Sequence, residues 1–148
     1  MKCLESLIVA FSMYSKIPMP QITWTKENMK NTLCYFPVIG AVIGALLWFW
    51  YWLCGIAGFG VMLQAAVAVL IPVLVTGGIH MDGFLDTSDA LSSWQTTERR
   101  LEILKDPHTG AFAIIACCSY FLAAFGIWTE AKLPDIGILA IGFILSRT

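Results

Sequence analysis

Charge is absent from most of this chain, and that absence limits its folding more than anything it contains. From Asn31 to Ile79 there is no Lys, Arg, Asp, Glu or His, and from Thr109 to Thr129 there is none either. Runs of this length accommodate helices of about 20 apolar residues, which is what crossing a hydrocarbon core requires. The composition agrees, with 58% hydrophobic and 13% charged residues and a mean hydropathy of +0.76. Soluble domains carry about 25% charged residues. A chain of 148 residues cannot bury this much apolar surface in one water-soluble core. The net charge of -1 leaves no basic face for nucleic acid. Cys3, Cys34, Cys54, Cys117 and Cys118 are odd in number and lack metal spacing, so they read as buried thiols rather than disulfides.

In chain order, residues 1–11 read as a short interfacial helix that stays on the mature protein. Glu5 interrupts the apolar run and no small-residue cleavage site follows. Pro18 and Pro20 break the helix, and Lys26, Glu27 and Lys30 form a polar approach to the membrane. Leu33–Leu53 is the first expected span. Its Gly40-x-x-x-Gly44 offers a face for close helix packing, and Trp48, Trp50, Tyr51 and Trp52 read as an interfacial aromatic belt. Gly55–Gly60 is a turn, and Val61–Val75 is a second span kinked at Pro72. Gly110–Thr129 is a third span. Ile136–Leu145 opens a fourth but is too short to cross, so the chain is expected to be the N-terminal part of a longer protein. The expectation is an all-α, polytopic integral membrane bundle of about 3–4 spans, forming one domain over residues 1–148. Lys2, Lys16, Lys26 and Lys30 precede the first span, and Arg99, Arg100 and Lys105 lie between the second and third. By the positive-inside rule both groups face the cytoplasm, which suits a multi-pass protein of the inner (plasma) membrane.

Between spans two and three sits a polar island. Gly77 to Gly110 carries six of the ten acidic residues and both histidines. Clustered carboxylates beside a bilayer are costly unless something uses them. On a helix, Asp82, Asp86 and Asp89 fall on one stripe at i, i+4 and i+7. Glu98, Glu102 and Asp106 repeat the pattern at i, i+4 and i+8. Two such stripes repel each other, and a divalent cation removes the penalty; all-oxygen ligands suit Mg²⁺, or Mn²⁺, rather than zinc. The expected metal ligands are Asp82, Asp86, Glu102 and Asp106, with Gly83 leaving room for close approach.

Arg99, Arg100 and Lys105 lie among these acids. Carboxylates that hold metal, together with Arg and Lys that hold phosphate oxygens, are what phosphoryl transfer needs. Asp82, Asp86 and Asp89 are the candidate catalytic residues, with Asp89 placed to orient or deprotonate an incoming hydroxyl. His80 is read as a phosphate contact or a structural hydrogen bond, since it points away from Asp82 on a helix; with Arg99, Arg100 and Lys105 it makes the candidate substrate-binding set. His108 suits capping, solvent exposure or substrate contact equally. A solvated loop whose arginines mark only membrane sidedness is the other reading of the island. A cation transporter is a third, but transporters usually place their acids within spans near the midplane.

The run Gly77-Gly78-Ile79-His80-Met81-Asp82-Gly83-Phe84-Leu85-Asp86-Thr87-Ser88-Asp89, with Arg99–Asp106 and Gly110-Ala111-Phe112, resembles the cobalamin synthase family, the adenosylcobinamide-GDP ribazoletransferases. Phe11, Lys16–Pro20 and Phe36–Gly40 resemble the N-terminus of that family. Ala90 and Ala113 depart from it, standing where glycine is usual. The resemblance implies a Mg²⁺-dependent membrane enzyme. In its reaction a hydroxyl of α-ribazole, or of α-ribazole 5'-phosphate, attacks adenosylcobinamide-GDP and GMP leaves. The CDP-alcohol phosphotransferases of phospholipid synthesis are the alternative, but they want Ala-Arg soon after Asp-Gly, and here Phe84-Leu85-Asp86 follows. The oligomeric state stays open.

Overall fold

The computed structural model describes residues 2–148, with side chains from Cys3 onward. Every regular element among them is helical: α1 (Lys2–Tyr14), α2 (Lys26–Lys30), a 3-10 turn (Thr32–Tyr35), α3 (Phe36–Ala57), α4 (Val61–Thr76), α5 (Ile79–Ser92), α6 (Thr97–Ile103), α7 (Ala111–Glu130) and α8 (Leu133–Leu145).

Among the described residues two helices are long and apolar enough to cross a membrane, α3 with its preceding turn, Thr32–Ala57, and α7; the bent pair α4 and α5 makes a third if it is one span. The helix α3 runs through Gly55 and into the expected turn. It ends where Gly58 takes a left-handed conformation (φ 69°) and donates its N–H to the Cys54 carbonyl. At 16 residues α4 is short for a crossing on its own. It continues through Pro72, and the sharp change of direction comes later, at Gly77 and Gly78, where α4 and α5 meet at 95°. Both glycines have positive φ (65° and 81°), which a side chain would resist. The first helix also outruns its expected end at Phe11, reaching Tyr14. The polar approach is ordered as α2, capped by Thr25 and Asn28, whose side chains each bond the other's backbone N–H.

The core collects on one face of α3. Ile39, Ile43, Leu47 and Tyr51 follow an i, i+4 row and pack with Phe11, Ala68 and Ile136. Tyr51 is thus a core residue, not part of the expected belt. Its hydroxyl donates to the Trp128 carbonyl at 2.9 Å, while Trp50 Nε1 donates to the Gln64 carbonyl at 2.9 Å. Trp48 and Trp52 remain on the outer surface. The Gly40/Gly44 face is used as expected. A Cβ at Gly40 would strike the Phe143 carbonyl and one at Gly44 would strike Ala140, so α3 and α8 approach at backbone distance. The cysteines are all free, but only Cys54 is buried; Cys3, Cys34 and Cys118 are exposed. Helices α4 and α5 both pack on α7, which sets the polar island against the start of α7.

Candidate active site

The expected carboxylate row exists. Ile79–Ser92 is a single helix, so Asp82, Asp86 and Asp89 lie along one face of α5. The three differ in surroundings. Asp82 is exposed, Asp86 is half-buried, and neither makes a hydrogen bond or ion pair among the described residues. Among the described residues, nothing outside the helix's own local backbone comes within 4 Å of a Cβ placed at Gly83. Asp89 is anchored instead. Its Oδ1 accepts the Ala113 N–H at 3.3 Å, and a Cβ at Gly110 would fall on its carboxylate. It therefore helps satisfy the free N–H groups that open α7. Oδ2 has no hydrogen bond among the described residues, and Asp89 lines a recess of about 300 Å³ with Asp106, His108 and Thr109. Ala90 and Ala113, where the resemblance led one to expect glycine, are both buried.

The second carboxylate row is broken. Helix α6 stops at Ile103, so Asp106 lies beyond it and not one turn past Glu102. Pro107 disfavours helical backbone at the residue before it. The Asp106 carboxylate accepts the His108 N–H at 3.0 Å and lies 2.7 Å from His108 Nδ1. Those bonds, the backbone one first, hold Asp106 below the usual carboxylate range. Glu98 is lowered in the same direction, by its own backbone N–H and then by the Thr96 hydroxyl. Glu102 pairs with Arg99 on the exposed surface of α6. Hence Asp82, Asp86, Glu102 and Asp106 are not assembled around one point. Among the described residues no group of three or more His, Cys, Asp or Glu side chains is placed to hold a metal ion.

The basic residues split too. Arg99 is engaged by Glu102, and Lys105 is exposed. Arg100 is half-buried, with its Nε shut from solvent and unpartnered. His80 stands apart from all three. It packs its ring 5.7 Å from Phe36 and lines a cavity of about 410 Å³ that also holds Arg147. Sequence reasoning passed over Arg147; a lone cation closing an apolar helix was its only signal.

A family model described as "Cobalamin-5-phosphate synthase" matches residues 6–148. The chain belongs to the cobalamin-5-phosphate synthase family. Curated relatives are similar throughout. One from Lachnoclostridium phytofermentans, named adenosylcobinamide-GDP ribazoletransferase, is 51% identical over 147 residues, covering 99% of this chain and 56% of its own length. Proteins of the same name from Clostridium botulinum (strain Eklund 17B) and Clostridium perfringens (strain SM101) are each 36% identical. These matches cover 82% and 97% of this chain and 48% and 58% of the relatives. The chain thus spans about half the length of the curated synthase relatives it matches. No solved structure matches it.

Proposed function

We propose that the chain acts in a membrane ribazoletransferase, joining adenosylcobinamide-GDP to α-ribazole or its 5'-phosphate with release of GMP in cobalamin biosynthesis. The observation that carries this reading is the 51% identity, over nearly the whole chain, to a protein named for that transfer. The helix α5 supports it, since two carboxylates with no hydrogen-bond or ion-pair partner among the described residues lie on one face of it.

In the reaction a ribose hydroxyl oxygen of α-ribazole attacks the phosphorus that carries the cobinamide ester. A new P–O bond forms, the anhydride bond to GMP breaks, and the hydroxyl proton goes to a carboxylate. Asp89 fits the acceptor's role, because Oδ1 is fixed by the Ala113 N–H while Oδ2 is left for a hydroxyl. Arg100 is suited to the pyrophosphate, having a desolvated Nε to offer, with Arg99 and Lys105 on the same segment. Mg²⁺, or Mn²⁺, belongs to the proposal in a narrower form. Asp82 and Asp86 are the side chains left to hold it, because Glu102 and Asp106 are engaged elsewhere. When bound, it would neutralise the pyrophosphate charge. The proposed setting is the inner membrane, with α5 facing the cytoplasm.

The test is turnover. The protein in lipid nanodiscs is given adenosylcobinamide-GDP and α-ribazole with Mg²⁺, and GMP is followed. Release of GMP only when α-ribazole is present supports the reading. CMP release from a CDP-alcohol pair with no GMP release from adenosylcobinamide-GDP, or cation flux in liposomes without transfer, overturns it.

A further inference from the structure

A second cavity lies apart from the carboxylate row. It measures about 410 Å³, lies between α3, α4, α5, α7 and α8, and is walled by Phe36, Trp128 and Phe143. That size is within the range of small-molecule sites. Its polar corner is Arg147, just past the end of α8, with His80 and Ser146 beside it.

Arg147 is held but not satisfied. One Nη donates to the Phe143 carbonyl at 2.9 Å and to the Ser146 hydroxyl at 3.1 Å. The guanidinium carbon lies 5.6 Å from the Phe36 ring centroid and 5.7 Å from that of Phe143, close enough for cation–π attraction. No ion pair forms on it among the described residues, and its Nε is shut from solvent with no hydrogen-bond partner. A half-buried guanidinium with an orphaned donor and no counter-charge is costly. A bound anion removes both deficits. His80 and Met81 bring the first turn of α5 to the same cavity, the helix end whose N–H groups favour negative charge.

We propose that this cavity binds an aromatic phosphate ester, with Arg147 holding the phosphate and the Phe36, Trp128 and Phe143 rings flanking the aromatic body. The identity of the occupant rests on the ribazoletransferase reading: α-ribazole 5'-phosphate, whose base is a fused aromatic ring, is such an ester. The site itself does not rest on it. With the 5'-phosphate as acceptor both substrates are anions, and two separate cationic holds would suit them. The basic residues of α6 and the following turn supply one, and Arg147 supplies the other. His80, in the first turn of α5, stands two residues before Asp82, so the cavity adjoins the start of the carboxylate row.

Binding is measured by equilibrium dialysis on the protein in zwitterionic nanodiscs. The probes are 1-naphthyl phosphate, its uncharged counterpart 1-naphthol, and dihexanoyl phosphatidic acid as a lipid-derived phosphate. The expected result is saturable binding of naphthyl phosphate at least tenfold tighter than naphthol. Arg147→Gln should weaken it tenfold or more, and Arg147→Lys by less, since Lys keeps the charge without the fork. Ala124→Trp, which fills the cavity from α7 and leaves Arg147 in place, should block binding. If Arg147→Gln does not fold, judged by near-ultraviolet circular dichroism, Ala124→Trp decides: loss of binding supports the site and retained binding overturns it. Equal affinity for naphthol and naphthyl phosphate overturns the proposal, as does unchanged affinity in Arg147→Gln. Tighter binding of phosphatidic acid than of naphthyl phosphate makes it a lipid site and overturns the aromatic assignment. Intact naphthyl phosphate binding with no GMP release would sink the transfer reading and leave the cavity site standing.

Discussion

Asp82 and Asp86 are acids for which the protein has no structural use. Neither caps a helix or pairs with a cation among the described residues, whereas Asp89 holds the start of α7 and Asp106 is bound to His108. This separates what substitution should do at each. Asp82→Asn keeps the shape, removes the charge and leaves no structural contact unmade. Transfer should fall about 100-fold or more, as when a group acting on the reacting phosphate is lost, while the melting temperature is unchanged or slightly higher. Turnover and a thermal melt on the same preparation check it; near-normal Mg²⁺-dependent turnover would return the α5 row to a solvated face. Arg99 and Arg100 invite a different comparison. The Arg99→Lys/Arg100→Lys pair keeps the charge and loses the planar fork, so the KM for adenosylcobinamide-GDP should rise several-fold with membrane insertion intact. An unchanged KM would mean that these residues only mark sidedness.

At the scale of elements, the α3–α8 contact yields the sharpest expectation. The Cβ positions of Gly40 and Gly44 are already occupied by α8, while that of Gly137 on α8 itself meets nothing within 4 Å. Gly40→Ala should therefore cost about 1–3 kcal/mol of stability through overpacking. Gly137→Ala should be neutral or mildly stabilising, since Ala is the better helix former by about 1 kcal/mol. Parallel melts in one detergent compare them, and equal loss at both sites would mean that the glycines serve flexibility rather than approach. The Gly-x-x-x-Gly spacing announced a packing face, and the charge-free runs announced the two long helices. Period alone made α5 a carboxylate row. The rest depended on information a local pattern does not hold. Tyr51 looked like a belt residue because its three neighbouring tryptophans do; the core it shares with Phe11, Ala68 and Ile136, all distant in sequence, places it inward. The Glu98–Asp106 row failed because the backbone constraint imposed by Pro107 outweighs carboxylate spacing. Arg147 shares its cavity with residues far away in sequence, Phe36 and His80 among them, so no window around it could reveal the cavity.

For the whole molecule, the question is which end of the bundle carries the chemistry. The Lys16 N–H donates to the Val75 carbonyl at 2.8 Å, and the Lys16 side chain lies across Gly77. The segment after α1 is thereby tied to the corner where α5 begins. The Gly58–Gly60 turn joins the far ends of α3 and α4, which pack on each other. The N-terminal lysines and the α5–α6 region therefore belong to one end, and the turn belongs to the other. Basic residues collect at the first end and are missing from the turn, so the first end should face the cytoplasm. Trp94, in the α5–α6 connection, is 91% exposed and can report this. With the native cysteines replaced by Ala, single cysteines are placed at Lys26, Gly60 and Trp94, and intact cells are treated with an impermeant maleimide. Gly60→Cys should label from outside, because Gly60 has ordinary backbone angles and open space around it. Lys26→Cys and Trp94→Cys should label only after permeabilisation. Labelling of Trp94→Cys in intact cells would reverse the orientation and remove α5 from the cytoplasmic pool of nucleotide substrates. If Gly60→Cys and Trp94→Cys label together from one side, α4 and α5 form a re-entrant pair rather than a crossing, and the carboxylate row must be reached from the same side as the turn.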